Sequence, residues 1–228
     1  MSKQEISVSD AVMERRSIRA YTDQPVPRAV IEEILSLAAR APSGGNLQPW
    51  NVHVVTGEAL DRLKAHMKEA IAASPTGEGT DFDIYPKNLP EPWRSRRHKV
   101  GEDLYALLGI ERDNRLGRML QFSRNYEFFG APVGLFFSID RQMGLPQWAH
   151  LGMFMQTIAL LAVERGLSTC MQEAWAAFPK TVSAFLGLPD DRRLYCGMAL
   201  GFADPDAPAN SLRTERAALE DFAVFLDH

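Results

Sequence analysis

The feature that most constrains the fold of this chain is one long apolar segment in its second half. Residues 147–165 read QWAHLGMFMQTIALLAVER and are followed by Gly166. The segment is long enough for a helix, and a glycine commonly ends one. Because apolar side chains occupy almost the whole circumference, such a helix is buried on every side, either by its own domain or by a partner subunit. The remaining elements must therefore pack around it.

Several other segments carry helical periodicity. The clearest begins at Pro27, which suits the first position of a helix, and it should stop before Pro42. Its apolar stripe consists of Val30, Ile31, Ile34, Leu35 and Ala38. The other predicted helices cover residues 7–14, 58–72, 99–109, 114–128 and 180–186, together with a tail that is helical from Ala217.

The strands are predicted by β-branched and continuous apolar runs. NVHVVT at residues 51–56, VGLFFSI at residues 133–139 and RLYCGMALG at residues 193–201 have this character. Three or four strands separated in this way lack the strict strand–helix alternation of a doubly wound parallel sheet, and the pattern predicts a mixed α+β fold. Since 228 residues suit one domain and no repeat or linker divides the chain, we expect a single domain over residues 1–228.

Composition argues against several classes of partner. The net charge of −4 and the pI of about 5.8 predict no general attraction to nucleic acid or to anionic lipid. The 2 cysteines, Cys170 and Cys196, and the 5 dispersed histidines form no Cys-x-x-Cys or His-x-x-x-His pair, so we expect no metal site. A polar start and the lack of a transmembrane-length apolar run predict a cytoplasmic protein with no membrane partner.

Residues 74–98 differ in composition from the rest of the chain. They read SPTGEGTDFDIYPKNLPEPWRSRRH, with prolines at positions 75, 86, 90 and 92, several aromatic residues and a basic end. Such a sequence predicts no regular element but a long excursion over the surface.

Three arginines lie within five residues near the start of the chain, in the sequence RRSIR at residues 15–19. If this segment is extended, Arg15, Ser17 and Arg19 project to one side, because side chains alternate along a strand. Two guanidinium groups with a hydroxyl between them suit a planar, oxygen-rich anion such as a phosphate or the edge of a flavin. A solvated charged surface is the alternative interpretation, and it accounts well for Arg16.

Two further polar motifs are uninformative when taken singly. Arg213 and Arg216 near the end of the chain resemble an ordinary charged patch, and the sequence PSGGN at residues 42–46 resembles a turn. Neither G-x-x-x-x-G-K-[ST] nor a G-x-G-x-x-G motif after a strand is present. A nucleotide bound by this chain would therefore be held by arginines.

Taken together and in this order, RRSIR, APSGGNLQPW and the arginine-bearing tail resemble the FMN-dependent nitroreductase family. The resemblance implies a central, mostly antiparallel sheet flanked by helices in an intertwined homodimer. It also implies an enzyme that transfers hydride from NAD(P)H through FMN to nitroaromatic acceptors, such as nitrobenzoates, or to quinones.

The same resemblance implies the roles of particular residues toward FMN. Arg15 would face the phosphate and Arg19 the pyrimidine edge, while the loop at residues 42–46 would come from the partner chain. Either Gln121 or Asn125 would supply one more polar ligand. The full set of implied cofactor ligands is Arg15, Arg16, Ser17, Arg19, Pro42, Ser43, Gly44, Asn46, Gln121, Asn125, Met171, Gln172, Glu173, Arg213 and Arg216.

The implied reaction needs no catalytic side chain and no metal, because hydride arrives and leaves at flavin N5 with ping-pong kinetics. Residues 74–128 would form a lid over the active site that selects the acceptor, with Arg94, Arg96, Arg97 or His98 facing an anionic substituent; a packed surface loop is the alternative. The implied substrate contacts are Phe82, Tyr85, Trp93, Arg97 and Tyr105. A reductive dehalogenase, a flavin-fragmenting enzyme of the same superfamily and a non-catalytic flavin-binding dimer are the alternative functions.

Overall fold

Residues 5–227, which the computed structural model describes, contain four strands in one sheet. The strands are β1 (Asn51–Thr56), β2 (Val133–Asp140), β3 (Ser168–Gln172) and β4 (Arg192–Gly201). Their order is β1-β2-β4-β3, and each neighbouring pair is antiparallel. The α-helices in the same range are α1 (Val8–Glu14), α2 (Arg28–Ala38), α3 (Gly57–Ala73), α4 (Trp93–Leu107), α5 (Arg115–Ser123), α6 (Leu145–Glu164) and α7 (Pro179–Leu186). The expected mixed α+β fold with an antiparallel sheet is confirmed.

Strand β2 is buried on both faces, which explains its continuous apolar sequence. On one face Leu135 and Phe137 pack with residues of α2 and α6. On the other face Phe136 packs against Trp175 and against residues of α3 and α7. A hydrophobic core therefore lies on each side of the sheet.

Helix α6 packs on the sheet through one face and leaves its other face open in the single chain. Leu151, Phe154 and Ile158 are buried in the core that β2 and α2 share with it. Met153 remains 46% exposed and Leu145 86% exposed. The chain by itself thus does not bury this apolar helix on every side. Neither α6 nor any other helix between residues 5 and 227 has the length and apolar character needed to cross a membrane.

Three predicted boundaries were wrong, and all three errors involve helices. The helix predicted at residues 114–128 ends at Ser123, and Arg124–Gly130 form a 3₁₀ segment. Helix α4 begins at Trp93 and not at residue 99, because the prolines all precede it and the Glu91 carboxylate accepts a hydrogen bond from the Ser95 amide at 3.2 Å. The tail from Ala217 is not helical: it forms a short 3₁₀ turn at Leu219–Asp221. Its apolar side chains, such as Phe225, are exposed, so no packing stabilises a helix there.

Candidate active site

The RRSIR segment runs beside strand β3. Ser17 forms a parallel bridge with Thr169, and the Ile18 amide donates to the Thr169 carbonyl at 3.0 Å. Because Ile18 is buried at 3% exposure, its neighbours Ser17 and Arg19 project to the opposite side. The extended conformation that the sequence suggested for this segment is present.

A cavity of about 460 Å³ brings together arginines from both ends of the chain, and we call it the arginine cavity. Its lining residues are Val12, Met13, Arg15, Arg16, Ser17, Arg19, Val100, Leu212, Arg213, Thr214 and Arg216. None of these arginines forms an ion pair with a carboxylate among residues 5–227. Clustered guanidinium groups without counter-ions repel one another, so the arrangement favours a bound anion.

Asn210 fastens the two ends of the chain together beside this cavity. Its side-chain oxygen accepts from the Arg19 amide at 2.8 Å, and its side-chain nitrogen donates to the Ala20 carbonyl at 2.8 Å. The Arg16 guanidinium donates to the Asn210 carbonyl at 2.5 Å. Asn210 is 8% exposed, so these hydrogen bonds are shielded from water.

A second cavity of about 700 Å³ adjoins the first, and we call it the lid cavity. It shares Arg19 and Val100 with the arginine cavity. Its lining comes partly from the end of β3 and the residues after it, and partly from α4, α5 and the segment before α4. The lining residues are Arg19, Ile84, Tyr85, Arg97, Val100, Gly101, Leu104, Tyr105, Gln121, Phe122, Asn125, Phe129, Met155, Cys170, Met171, Gln172, Glu173, Ala174, Tyr195 and Cys196.

The two alternative polar ligands on this wall differ in their hydrogen bonding. Asn125 donates to the Phe122 carbonyl at 2.8 Å and accepts from the Gln172 amide at 3.3 Å. Gln121 is buried, and its side-chain nitrogen has no hydrogen-bond partner. A buried amide donor without a partner costs about 1–3 kcal/mol, so Gln121 is suited to an acceptor on a bound molecule.

Three residues at the end of β3 form part of the lid cavity with different exposure. Gln172 is buried and donates to the Asn125 carbonyl at 2.8 Å, whereas Met171 is 38% exposed. Glu173 is half-buried, and this burial raises the pKa of its carboxyl. Nearby, burial raises the pKa of Tyr195 to about 12.

The loop at residues 42–46 lines neither cavity of its own chain. It contacts α6, where the Gly44 amide donates to His150 Nε2 at 3.3 Å. Gly45 and Asn46 adopt left-handed backbone conformations with φ of 59° and 56°. The structure therefore brings together every other implied cofactor ligand at the two cavities and leaves this loop apart.

The implied substrate contacts also divide into two groups. Tyr85, Arg97 and Tyr105 line the lid cavity. Phe82 lies outside its lining, with ring centroids 5.3 Å from Trp148 and 5.9 Å from Tyr195. Trp93 also lies outside it and is 55% exposed.

Thiol and metal chemistry have no support at this site. Burial raises the pKa of the Cys170 thiol to about 11 and the pKa of Cys196 further, so both thiols stay protonated near neutral pH. Within residues 5–227, no group of three or more His, Cys, Asp or Glu side chains could hold a metal ion.

The sequence model of the nitroreductase family matches residues 12–202. The chain belongs to the nitroreductase family. A 4-nitrobenzoate reductase of Pseudomonas putida is 40% identical to it over 221 residues, which cover 95% of each chain. Among solved structures, the FMN and NADPH-dependent nitroreductase NfnB from Sphigopyxis sp. strain HMH is 48% identical with a TM-score of 0.95, covering 98% of this chain and 100% of that one. The FMN-dependent nitroreductase NfnB from Mycobacterium smegmatis in complex with NADPH is 30% identical with a TM-score of 0.90, covering 96% and 100%.

Two residues that fix the backbone of this nitroreductase were missed in the sequence, one beside the arginine cavity and one in the excursion. Asn210 sits in a Pro/Asp-rich turn and carries no signal that separates it from an ordinary turn asparagine. Glu78 lies in the excursion, and its carboxylate accepts from the Lys180 and Thr181 amides at 2.9 and 3.1 Å, capping α7. A sequence pattern identifies a helix cap in the residue just before the helix, so it cannot find the Glu78 carboxylate, which lies about 100 residues before α7.

Proposed function

We propose that this nitroreductase binds FMN and uses NAD(P)H to reduce nitroaromatic or quinone acceptors. One observation carries the proposal: five arginines from both ends of the chain line the arginine cavity. None of them has a carboxylate partner among residues 5–227. The adjoining lid cavity contains a buried amide donor, that of Gln121, without a hydrogen-bond partner. The FMN- and NADPH-dependent relatives, which share the fold over nearly the whole chain, support the same conclusion.

The residues present fit FMN. Arg15, Arg213 and Arg216 would hold its phosphate, because the arginine cavity has no acidic lining residue to compete for their guanidinium groups. Arg19 lies where the two cavities meet and would face the pyrimidine edge of the ring. In the lid cavity, Gln121 offers its free amide donor to the ring system.

When bound, FMN supplies hydride transfer at N5, first from the nicotinamide and then to the acceptor, in ping-pong order. The chain itself contributes binding, orientation and electrostatics. Arg19 provides a fixed positive charge that favours the electron-rich form of a bound ring. Residues of α4 and α5 line the lid cavity, where they would limit the access of water to a bound ring. The Glu173 carboxyl, whose pKa is raised by burial, holds its proton to higher pH than an exposed glutamate does.

The proposed enzyme is a homodimer in which the loop at residues 42–46 completes the site of the partner subunit. The loop lines neither the arginine cavity nor the lid cavity of its own chain, although PSGGN carries the short polar groups and glycines that a close backbone approach needs. Exposed apolar residues on α1, α6 and the tail would be buried at the dimer interface, since a monomer rarely exposes so many large apolar side chains. They include Val8, Met13, Met153, Phe222, Val224, Phe225 and Leu226.

Residues 74–128 act as the lid of this site. Tyr85, Arg97 and Tyr105 from this segment line the lid cavity, so the segment meets the acceptor, whereas the arginine cavity takes only Val100 from it. Acceptor choice is therefore assigned to Tyr85, Arg97 and Tyr105 of this segment, and retention of the cofactor phosphate to the arginine cavity.

A spectroscopic experiment tests the proposed function. Purified protein supplied with FMN should become yellow, lose its colour when NADPH is added under nitrogen, and regain it when nitrobenzene is added. If the protein takes up FMN but neither NADH nor NADPH bleaches it, the protein binds flavin without the proposed reductase activity, and the proposal is wrong.

A further inference from the structure

The first turns of helix α4 contain a run of basic residues, RSRRHK at residues 94–99. All but one of the basic side chains in this run lie within 4.0 Å of a carboxylate. The pairs are Arg94 with Glu91, Arg96 with Asp221, His98 with Glu102, and Lys99 with Asp103. Arg97 is the exception, because no carboxylate among residues 5–227 pairs with it.

Arg97 instead lies over an aromatic ring at the lid cavity. Its guanidinium carbon is 4.1 Å from the centroid of the Tyr85 ring, and both residues line the cavity. A guanidinium that stacks on a ring uses its face for the contact and keeps the N–H groups at its edge free for a planar acceptor.

A second arginine–tyrosine pair beside the same cavity shows what such a free edge binds. The Arg118 guanidinium carbon lies 4.3 Å from the centroid of Tyr105, and its two terminal nitrogens donate to the two oxygens of Glu102 at 2.7 and 3.0 Å. The fork of Arg118 is therefore closed by a carboxylate, and the equivalent fork of Arg97 is open.

The charges lining the lid cavity make Arg97 the natural partner of an anion on the acceptor. The charged lining residues are Arg19, Arg97 and Glu173. Arg19 lies at the junction with the arginine cavity, so it faces the cofactor rather than the acceptor in the proposed enzyme.

We propose that Arg97, held against Tyr85, binds the carboxylate of the acceptor, so that carboxylated nitroaromatics are the preferred substrates of this enzyme. The inference rests on the proposed nitroreductase function and adds a specificity-determining residue to it. Arg97 takes no part in hydride transfer; it selects the acceptor through a charge-assisted, two-pronged contact.

The test compares 4-nitrobenzoate with 4-nitrobenzamide, which has nearly the same size and no charge. In Arg97→Gln, kcat/KM for 4-nitrobenzoate should fall at least about fivefold, while kcat/KM for 4-nitrobenzamide should change less than about twofold. Arg97→Lys should recover part of the preference, since it restores the charge without the planar fork. Arg94→Gln is the matched control, because it removes the same charge one helical turn away, where Arg94 pairs with Glu91 outside the cavity lining.

The outcomes separate the inference from the function on which it rests. If the wild-type protein reduces neither compound with NADH or with NADPH, the proposed function is wrong. If the wild type reduces both compounds and Arg97→Gln leaves the ratio of their kcat/KM values unchanged, only the carboxylate site is overturned. A rise confined to the KM of NADPH would assign Arg97 to the phosphates of the dinucleotide and would likewise overturn it.

Discussion

Asn210 connects the two ends of the chain at the level of single hydrogen bonds. It binds the backbone on both sides of Arg19, and its own carbonyl accepts from Arg16. The arginines at the start and end of the chain therefore reach one cavity because a buried amide fixes the backbone that carries them. The alternation in RRSIR predicted which side chains share a side, but the position of Asn210 depends on contacts 190 residues apart in sequence, which local patterns do not encode.

Replacing Asn210 with alanine should weaken both folding and cofactor binding. The substitution leaves the Arg19 amide and the Ala20 carbonyl without their partners, at a cost of about 2–4 kcal/mol in the free energy of unfolding. Urea denaturation measures the first effect and FMN titration the second. Ser211→Ala is the control, because Ser211 is exposed and its hydroxyl bonds only the nearby Pro208 carbonyl. Wild-type behaviour of Asn210→Ala in both measurements would contradict this role.

At the scale of elements, sequence patterns succeeded where burial is complete within the chain. Strand β2 has core on both faces, so its apolar run is continuous, and α2 buries one regular stripe. The patterns failed for the tail after Ala217, whose large apolar side chains remain exposed in the single chain. They also gave no means to place Phe82, which resembles a substrate contact in sequence and packs between Trp148 and Tyr195 in the structure.

Phe82 and Glu78 anchor the start of the lid, and we expect loss of Phe82 to loosen it. Phe82→Ala removes a half-buried ring and should raise the KM for nitroaromatic acceptors while FMN stays bound, because Phe82 lines neither cavity. Steady-state kinetics with nitrobenzene and FMN titration measure the two effects. Phe82→Leu keeps most of the volume and should behave like the wild type. If Phe82→Ala also weakens FMN binding, the assignment of acceptor and cofactor binding to separate residues is wrong.

At the scale of the whole molecule, the proposed second subunit rests on the outer face of α6 and on the loop at residues 42–46, which lies apart from the two cavities. The sequence predicted an α6 buried on every side, and the single chain buries only one face. Which surface of a partner covers the rest is a property of two chains, so neither hydrophobic periodicity nor the fold of one chain reveals it.

A charge on that face should separate the subunits of the proposed dimer. Met153→Lys places an ammonium group at an exposed apolar position of α6, where burial against a partner would cost several kcal/mol. We expect sedimentation velocity to show monomers that bind FMN more weakly than the wild type, since the partner's loop no longer completes the site. Gln142→Lys adds the same charge in an exposed turn and should leave the dimer intact. A monomeric Met153→Lys with unchanged FMN affinity would rule out the shared site.

The most direct test of the account is the affinity for FMN of variants that remove one arginine from each end of the chain. The dissociation constant, measured by fluorescence titration, should rise at least about tenfold for Arg15→Ala and for Arg213→Ala, and further for the double variant. Arg62→Ala, which removes an exposed guanidinium paired with Glu58 on α3, should match the wild type. If the double variant binds FMN as tightly as the wild type does, the arginine cavity is not the cofactor site.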